Sequence, residues 1–405
     1  MVAILGYSRP QILAAVQTMY STVANAPESP FHFPVGANAS RRLGYPQALT
    51  ASLPTRLMDS FAGVGCPFNG RAVHRGDRVL DLGAGAGHDS LIARDLVGER
   101  GRVIALDLTA AMTRKLRQEA MLAGIDDLMV LQGSAEQLPL ADASVDSITS
   151  NGMLNLVPDK RRSVAEMFRV LRPGGRLQLA DVVIHRPVSV DCHADPRLWV
   201  ECVVGATVKE DLLALFEEEG FEDIRVVGSH DYFALSPSDQ TREVAESFGA
   251  HAVELSMRRA DTPPTILRRW RHRLDPRVWW RRLKRRGLLG MAAFALAAVS
   301  CYGLLALAAL LPVLGMSLAL NESTWAVAIA AFVALTLVVL AAGLRHRVGP
   351  WPCLLGALGA SLVFYALFID YYALLELAGF LVLAAATLWD LRRRRRQEAR
   401  VLGID

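Results

Sequence analysis

Charge is nearly absent from one long stretch of this 405-residue chain. Residues 287–391 hold two cationic side chains, Arg345 and Arg347, and four acidic ones, Glu322, Asp370, Glu376 and Asp390. Cysteine is scarce as well. Cys66, Cys192, Cys202, Cys301 and Cys353 are odd in number, widely spaced and form no CxxC pair. That excludes a disulfide-stapled secreted module and suits a reducing compartment. The N-terminus, MVAILGYSRPQ, lacks a basic region followed by an apolar one, so no secretory signal is expected. Overall 52% of side chains are hydrophobic and 21% charged. So uneven a distribution excludes both a disordered chain and a single soluble domain.

The formal net charge of +4 hides a second split. Residues 261–286 carry ten Lys/Arg against two Asp, and the tail 392–405 carries six Arg against Glu398 and Asp405. The rest of the chain is net acidic. The pI near 8.9 therefore describes the flanks of the apolar stretch, and it does not support a nucleic-acid partner.

A helix needs about 20 apolar residues to cross a bilayer. Leu288–Leu320, Trp325–Leu344, Cys353–Ile369 and Tyr372–Trp389 meet or approach that length and have no polar face. The expectation is an all-α module of four transmembrane helices over residues 288–391. Cations flank it in the order basic, neutral, basic, neutral, basic. That pattern places both termini, and the soluble part, on the cytoplasmic side of a bacterial-type inner membrane. Trp270, Trp279 and Trp280 interleave with the arginines of 258–287, as in an interfacial helix on anionic lipid. The same residues also serve as a plain positive flank.

Residues 73–185 alternate β-rich runs with helical patterns, the mark of a doubly wound, Rossmann-like α/β sheet. Strands are expected at 78–82, 102–107, 128–132, 145–150 and 176–183, with a turn at ArgProGlyGly, 172–175. Helices are expected from the glycines to about Leu96, at 109–123 and at 163–171. Beyond these, a strand near Ile224–Val227 and a helix near Ser238–Phe248 are expected. The first strand runs into DLGAGAG, residues 81–87. Gly83, Gly85 and Gly87 permit a tight turn and a close approach of ligand to main chain. Asp81 precedes them and can accept hydrogen bonds from a cationic amino-acid moiety. The second strand ends in Asp107, whose carboxylate can hold two ribose hydroxyls.

DLGAGAG, IALDLT, GSAEQLPLADASVDSITSN and FRVLRPGGRL together resemble a class I S-adenosylmethionine-dependent methyltransferase. DLTAAM, SNGMLNLVPDK, LADVV and CVVGATVKEDLLALFEEEGFEDI further resemble the arsenite methyltransferase branch. The resemblance implies S-adenosyl-L-methionine as cofactor and a methyltransferase domain over 73–257, with residues 1–72 as a lead-in and substrate cap. It implies that Asp81, Gly83, Gly85 and Gly87 shape the methionine end of the pocket. Asp107 binds ribose, Leu108 and Thr109 flank the adenosine, and Ser134 and Ala135 border adenine. Asn151 faces the transferring methyl, or is simply a turn residue.

The arsenite branch binds trivalent arsenic through thiolates, soft ligands for a soft ion. Here Gly152 and Val64 occupy two of the thiol positions, and only Cys202 matches. Cys66 and Cys192 are the remaining candidates for a rebuilt site; the alternative for Cys202 is packing as a small hydrophobe. His32, His88, His185 and His193 are candidate polar groups. The spans, with a basic tail at 392–405, faintly resemble MerC-type mercury carriers. Three function classes follow. The first is a membrane-tethered methyltransferase acting on sulfide, a thiol such as methanethiol or a trivalent arsenical. The second is a metal-ion transporter with a fused methyltransferase. The third is a C-methyltransferase for a quinone precursor in the bilayer.

Overall fold

The structure is a computed structural model. It describes residues 8–185, 205–262, 289–299, 322–344, 350–370 and 372–401. These residues fall into two compact units, divided between Arg273 and Leu274.

In the first unit, helix α1 (Arg9–Asn25) starts at Ser8 with a capping box, and short helical turns follow to residue 70. Strand β1 (Arg78–Leu82) is buried from Val79 onward. Both its faces are covered, which is why it reads as a mostly apolar run interrupted only by the buried Asp81. Helix α2 (His88–Val97) leads to β2 (Arg102–Asp107), α3 (Ala110–Leu122), β3 (Leu128–Gln132) and β4 (Val145–Asn151). Helix α4 (Lys160–Val170) begins where Asp159 accepts the Arg162 N–H, three residues before the expected start. It is followed by β5 (Leu171–Ile184), β6 (Thr207–Val208), α5 (Lys209–Glu219), β7 (Phe221–His230), α6 (Asp239–Phe248) and β8 (His251–Arg259).

The sheet order is β3-β2-β1-β4-β5-β8-β7, with β6 beside β5. β1 to β5 run parallel, whereas β8 is antiparallel to both β5 and β7. The chain moves outward from β1 in both directions, so a crevice opens at the C-terminal ends of β1 and β4. Open α/β sheets bind ligands at that switch point. The core joins Leu80, Ile104, Ile148, Leu177 and Leu255 of the sheet to Met167 and Phe168 of α4 and Phe216 of α5.

Two features depart from expectation. Arg172–Gly175 lies within β5, but the pairing jumps from Val145↔Leu171 to Ser147↔Arg176. The turn residues are thus looped out of the ladder as a bulge. Strand β8 was not anticipated; it fills the sheet between β5 and β7 and buries Val253, Leu255 and Met257.

The second unit contains α7 (Leu289–Ala298), α8 (Glu322–Leu344), α9 (Trp351–Phe368) and α10 (Ala373–Val401). α9 and residues Ala373–Arg393 are long and apolar enough to cross a membrane, and α8 holds a shorter apolar stretch, Ile329–Ala341. Ile329, Val333, Ala360, Val363, Phe380 and Leu383 pack together, while Leu374 and Leu381 face outward and exposed. The helices are therefore apolar on both inner and outer faces, as a bilayer-embedded module requires. Most of the first expected span, and the basic segment with Trp270, Trp279 and Trp280, lie outside the described residues.

Candidate active site

A cavity opens at the switch point. Its floor is the glycine turn. The Gly83 and Ala84 N–H groups both donate to the Leu106 carbonyl, which ties the turn to the end of β2. Gly83 has φ 80°, and a β-carbon there would stand 2.6 Å from Met153 Cβ. Both the backbone conformation and the space exclude any larger residue.

Asp107 closes one side. Its carboxylate accepts the Gly85 N–H at 2.9 Å and the Thr109 N–H at 2.7 Å. Burial pushes its pKa up, and these two bonds oppose the shift. Leu108, Thr109, Ser134 and Ala135 line the same end. Next to them Glu136, fully buried, forms an ion pair with Arg9 at the start of α1 and accepts the Asp159 N–H at 2.7 Å. α1 covers the cavity with Leu13, Val16 and Tyr20.

The opposite end is a buried polar network. The Asp89 carboxylate accepts the Tyr45 hydroxyl at 2.6 Å on Oδ1 and the Asn151 amide at 3.0 Å on Oδ2. His88 Nδ1 lies 2.8 Å from the same Oδ1, and His88 Nε2 lies 3.0 Å from Ser40 Oγ. Burial, and then the charge of Asp89, raises the Tyr45 pKa well above its ordinary value, so Tyr45 keeps its proton. Asn151 Oδ1 accepts the Val64 N–H at 2.8 Å, which pins the Ala62–Cys66 loop to the end of β4. Asn151 lines the cavity, but its amide is engaged by Tyr45, Gly65 and Asp89.

Asp81 is not among the lining residues. It sits beneath the glycine turn and accepts Ser90 Oγ–H at 2.5 Å and Thr149 Oγ1–H at 2.8 Å. Burial, and then the charge of Asp89, pushes its pKa up to about 7. Gly87 likewise stands off the wall, at the start of α2, backed by Leu116. Another wall, Leu156 to Pro158, is held by Lys160, whose Nζ donates to the Asn155 and Val157 carbonyls. Burial lowers Lys160 to about 8 and raises the neighbouring Asp181 to about 7.

Cys66 is buried, its N–H donates to Glu254 Oε1, and burial pushes its thiol up to about 12, with the charges of Asp89 and Glu254 adding to the shift. Such a thiol is protonated at neutral pH. Cys192, Cys202 and His193 lie outside the described residues. Of the described candidate histidines, His88 alone lines the cavity; His32 packs edge-on against Phe33 and His185 stacks on His251. Asp89, Tyr45, Ser40 and the Arg9–Glu136 pair were not anticipated. The one sequence signal was the HisAsp that follows the glycines, which falls in the first turn of α2, where an acidic side chain meets the helix dipole.

Among the described residues, the lining has no lysine, arginine or cysteine, and it includes Asp89, Asp107 and Glu136. Among the three only Glu136 is paired with an arginine or lysine, while Asp89 lies 2.8 Å from the His88 imidazole. The cavity is thus built for a cationic ligand with a ribose-like diol, which S-adenosylmethionine satisfies. Residues 73–220 match the family model described as methyltransferase domain, and residues 288–392 match that described as MerC mercury resistance protein. The chain thus carries a methyltransferase domain at residues 73–220 and a MerC domain at residues 288–392.

An arsenite methyltransferase of Halobacterium salinarum is 36% identical over 54% of this chain and 56% of its own length. A ubiquinone/menaquinone biosynthesis C-methyltransferase of Yersinia pestis is 42% identical over 26% of this chain and 42% of its own. The structure of an arsenic(III) S-adenosylmethionine methyltransferase from Chlamydomonas reinhardtii matches at 33% identity, covering 54% of this chain and 74% of that one, with a TM-score of 0.46. The chain spans about half the length of the curated relatives it matches.

Proposed function

We propose that this methyltransferase acts on a small, soft nucleophile of the sulfide or thiol class, such as methanethiol, and releases a volatile methylated product. The observation that carries this reading is the chemistry of the cavity wall opposite Asp107. Gly152 stands there with Val64 packed behind it, no described lining residue is a cysteine, and Cys66 keeps its proton. No thiolate cage for a metalloid is present among the described residues. A neutral or anionic sulfur acceptor needs none.

When bound, S-adenosylmethionine supplies a methyl group already activated on a sulfonium. Asp107, Leu108 and Thr109 hold its nucleoside, Ser134 and Ala135 border the base, and the glycine turn with Asp81 beneath it shapes the methionine end. The remaining task is to position the acceptor and keep water out. Leu13, Val16, Tyr20 and Phe61 do the second.

A trivalent arsenical is the second reading, supported by the names of the relatives. It would draw on Cys202, with Cys192, from outside the described residues. The MerC match supports a third, in which the membrane part carries a metal ion, and the Yersinia relative a fourth, C-methylation of a quinone precursor. In all four we place four spans over 288–391, a basic linker at 258–287, and both termini and the methyltransferase domain (73–257, capped by 1–72) on the cytoplasmic side of an inner membrane.

The test is headspace and solution product analysis of membranes containing the full chain, given cofactor with sulfide, methanethiol or arsenite, and with an Asp107→Ala chain as control. Methanethiol from sulfide and dimethyl sulfide from methanethiol are expected. Methylated arsenic alone would transfer the assignment to arsenite, and loss of Cys202→Ser activity on arsenite would then place that thiol in the site. No product from any of the three would overturn the proposal.

A further inference from the structure

Among the described residues, five titratable side chains line the cavity: Tyr20, His88, Asp89, Asp107 and Glu136. Asp107 is engaged in holding the loops at Gly85 and Thr109. Glu136 is neutralised by Arg9. Both imidazole nitrogens of His88 are taken, by Asp89 and Ser40. Asp89 differs. Its side chain is buried, and it accepts three hydrogen bonds, from Tyr45, His88 and Asn151. Two fall on Oδ1 and one on Oδ2. A carboxylate offers about four acceptor sites, so Oδ2 keeps one for a group inside the cavity.

The surroundings fix this carboxylate in place. Tyr45 comes from the N-terminal segment, His88 from the same helix turn and Asn151 from the end of β4, so three separate elements orient one group. Tyr45 and Phe61 pack on the His88 ring, with centroids 4.8 and 4.2 Å away, and lock the imidazole between Asp89 and Ser40. The other charged or ionisable groups that bear on Asp89 are Asp81 beneath it and the thiol of Cys66. Neither supplies a positive charge.

We propose that Asp89, oriented by Tyr45, His88 and Asn151, takes the proton of a protonated thiol acceptor, so that alkanethiols as well as pre-ionised anions are substrates of this cavity. The inference rests on the thiol reading above. The S–H proton passes to Asp89 Oδ2, and the S–H electron pair stays on sulfur, which forms the new S–C bond. The pair of the bond that breaks remains on the methyl donor and cancels its positive charge. Methylation of hydrosulfide, which starts as an anion, needs no such proton acceptor. His88 is a positioning residue in this scheme, since its contact is with Asp89.

The test compares methanethiol with sulfide at mildly alkaline pH and saturating cofactor, using the full chain in detergent. There sulfide is present as hydrosulfide, while methanethiol keeps its proton. General base catalysis contributes about 10²-fold or more. Asp89→Asn should lower kcat/KM for methanethiol about 100-fold and that for hydrosulfide by no more than about tenfold. His88→Gln should show the same selectivity in weaker form, about tenfold on methanethiol. It serves as the second variant should Asp89→Asn fail to fold, and Asp89→Glu should recover part of the loss. Equal losses on both acceptors, or no loss, would overturn the proposal and leave the thiol reading intact. A wild-type chain that methylates neither acceptor would overturn the thiol reading itself.

Discussion

Val64 packs against Gly152: a β-carbon built on Gly152 would stand 3.2 Å from Val64 Cγ1. Gly152 has φ 70°, in the left-handed region where side chains cost about 1–2 kcal/mol. The two positions at which the arsenite branch is expected to carry thiols are thus neighbours in space, and here they present hydrocarbon. A Val64→Cys, Gly152→Cys chain should retain arsenite on equilibrium dialysis at least about tenfold more tightly than wild type, because two thiolates then chelate one soft ion. The same chain should unfold at a lower temperature because of the strain at position 152. Equal arsenite retention by the two chains would contradict the assignment of this wall.

Asp81 sets a pH dependence whose sign is fixed. Its pKa is pushed to about 7 by burial and the charge of Asp89, against about 3.9 for a free aspartate. A raised acid contributes stability that is fully present below about pH 4 and is lost as pH rises through 7. A cationic cofactor reverses that balance, because it favours the ionised form. Its affinity should therefore rise with pH through about 7 and level off above. Titration calorimetry across mildly acid to mildly alkaline pH should show this for wild type and a flat profile for Asp81→Asn. Asp181, also near 7, affects thermal stability in the same window but lies beside Asn155 and Lys160, away from the glycine turn, so binding is the cleaner measurement.

β1 and β2 were legible because both are buried on both faces. ArgValLeuAspLeu and ArgValIleAlaLeuAsp stand out as short apolar runs ended by glycine or aspartate, and the structure bounds them at 78–82 and 102–107. β8 was missed because HisAlaValGluLeuSer reads equally as a surface segment until β5 and β7 supply its partners. In the site, the glycine turn, Asp107, Thr109, Ser134 and Ala135 are local motifs and lie together on the cavity wall. The Asp89 network was not legible, since Ser40, Tyr45, His88 and Asn151 come from three distant parts of the chain. Their meeting is a property of the packing, and no spacing in the sequence encodes it. Asp81 illustrates the converse: its position beside the glycines is clear from sequence, but its engagement by Ser90 and Thr149 is not.

The ion pair of Arg9 with Glu136 fastens the start of α1 over the cavity. Arg9 is 54% exposed in its side chain and Glu136 only 2%. Removing the guanidinium therefore leaves a buried carboxylate with its charge uncompensated, which costs more than losing a surface pair. The far end of α1 is held separately, by Lys115 Nζ donating to the Ala24 carbonyl and to Ser60 Oγ. Arg9→Ala should thus loosen the near end alone. Cofactor affinity is expected to fall about fivefold, equivalent to about 1 kcal/mol. Stopped-flow release should be faster by a similar factor, and protease should cut earlier near residue 9. Unchanged release kinetics would show that α1 does not gate the cavity.

Among the described residues of the membrane module, α9 and α10 approach closely at Gly359 and Gly379. A β-carbon on Gly379 would stand 2.9 Å from the Gly359 carbonyl oxygen and 3.0 Å from the Val363 nitrogen, both backbone atoms that cannot turn aside. Small residues at such crossings let helices in a bilayer pack by direct backbone contact, where no hydrophobic force drives them together. Gly356 is also crowded, with a β-carbon 2.5 Å from Leu340 Cδ1, but that obstacle is the end of a flexible side chain. The two positions should therefore respond differently to added bulk. Gly379→Val should cost about 1–3 kcal/mol, the range for overpacking. It should lower the temperature at which the detergent-solubilised chain aggregates by several degrees. Gly356→Ala should shift it little, because Leu340 can change rotamer. The measurement is size-exclusion of heated samples, with cofactor affinity at low temperature as the control that the methyltransferase unit is unaffected. Equal shifts for the two variants would mean that backbone contact at Gly359 and Gly379 does not hold α9 against α10.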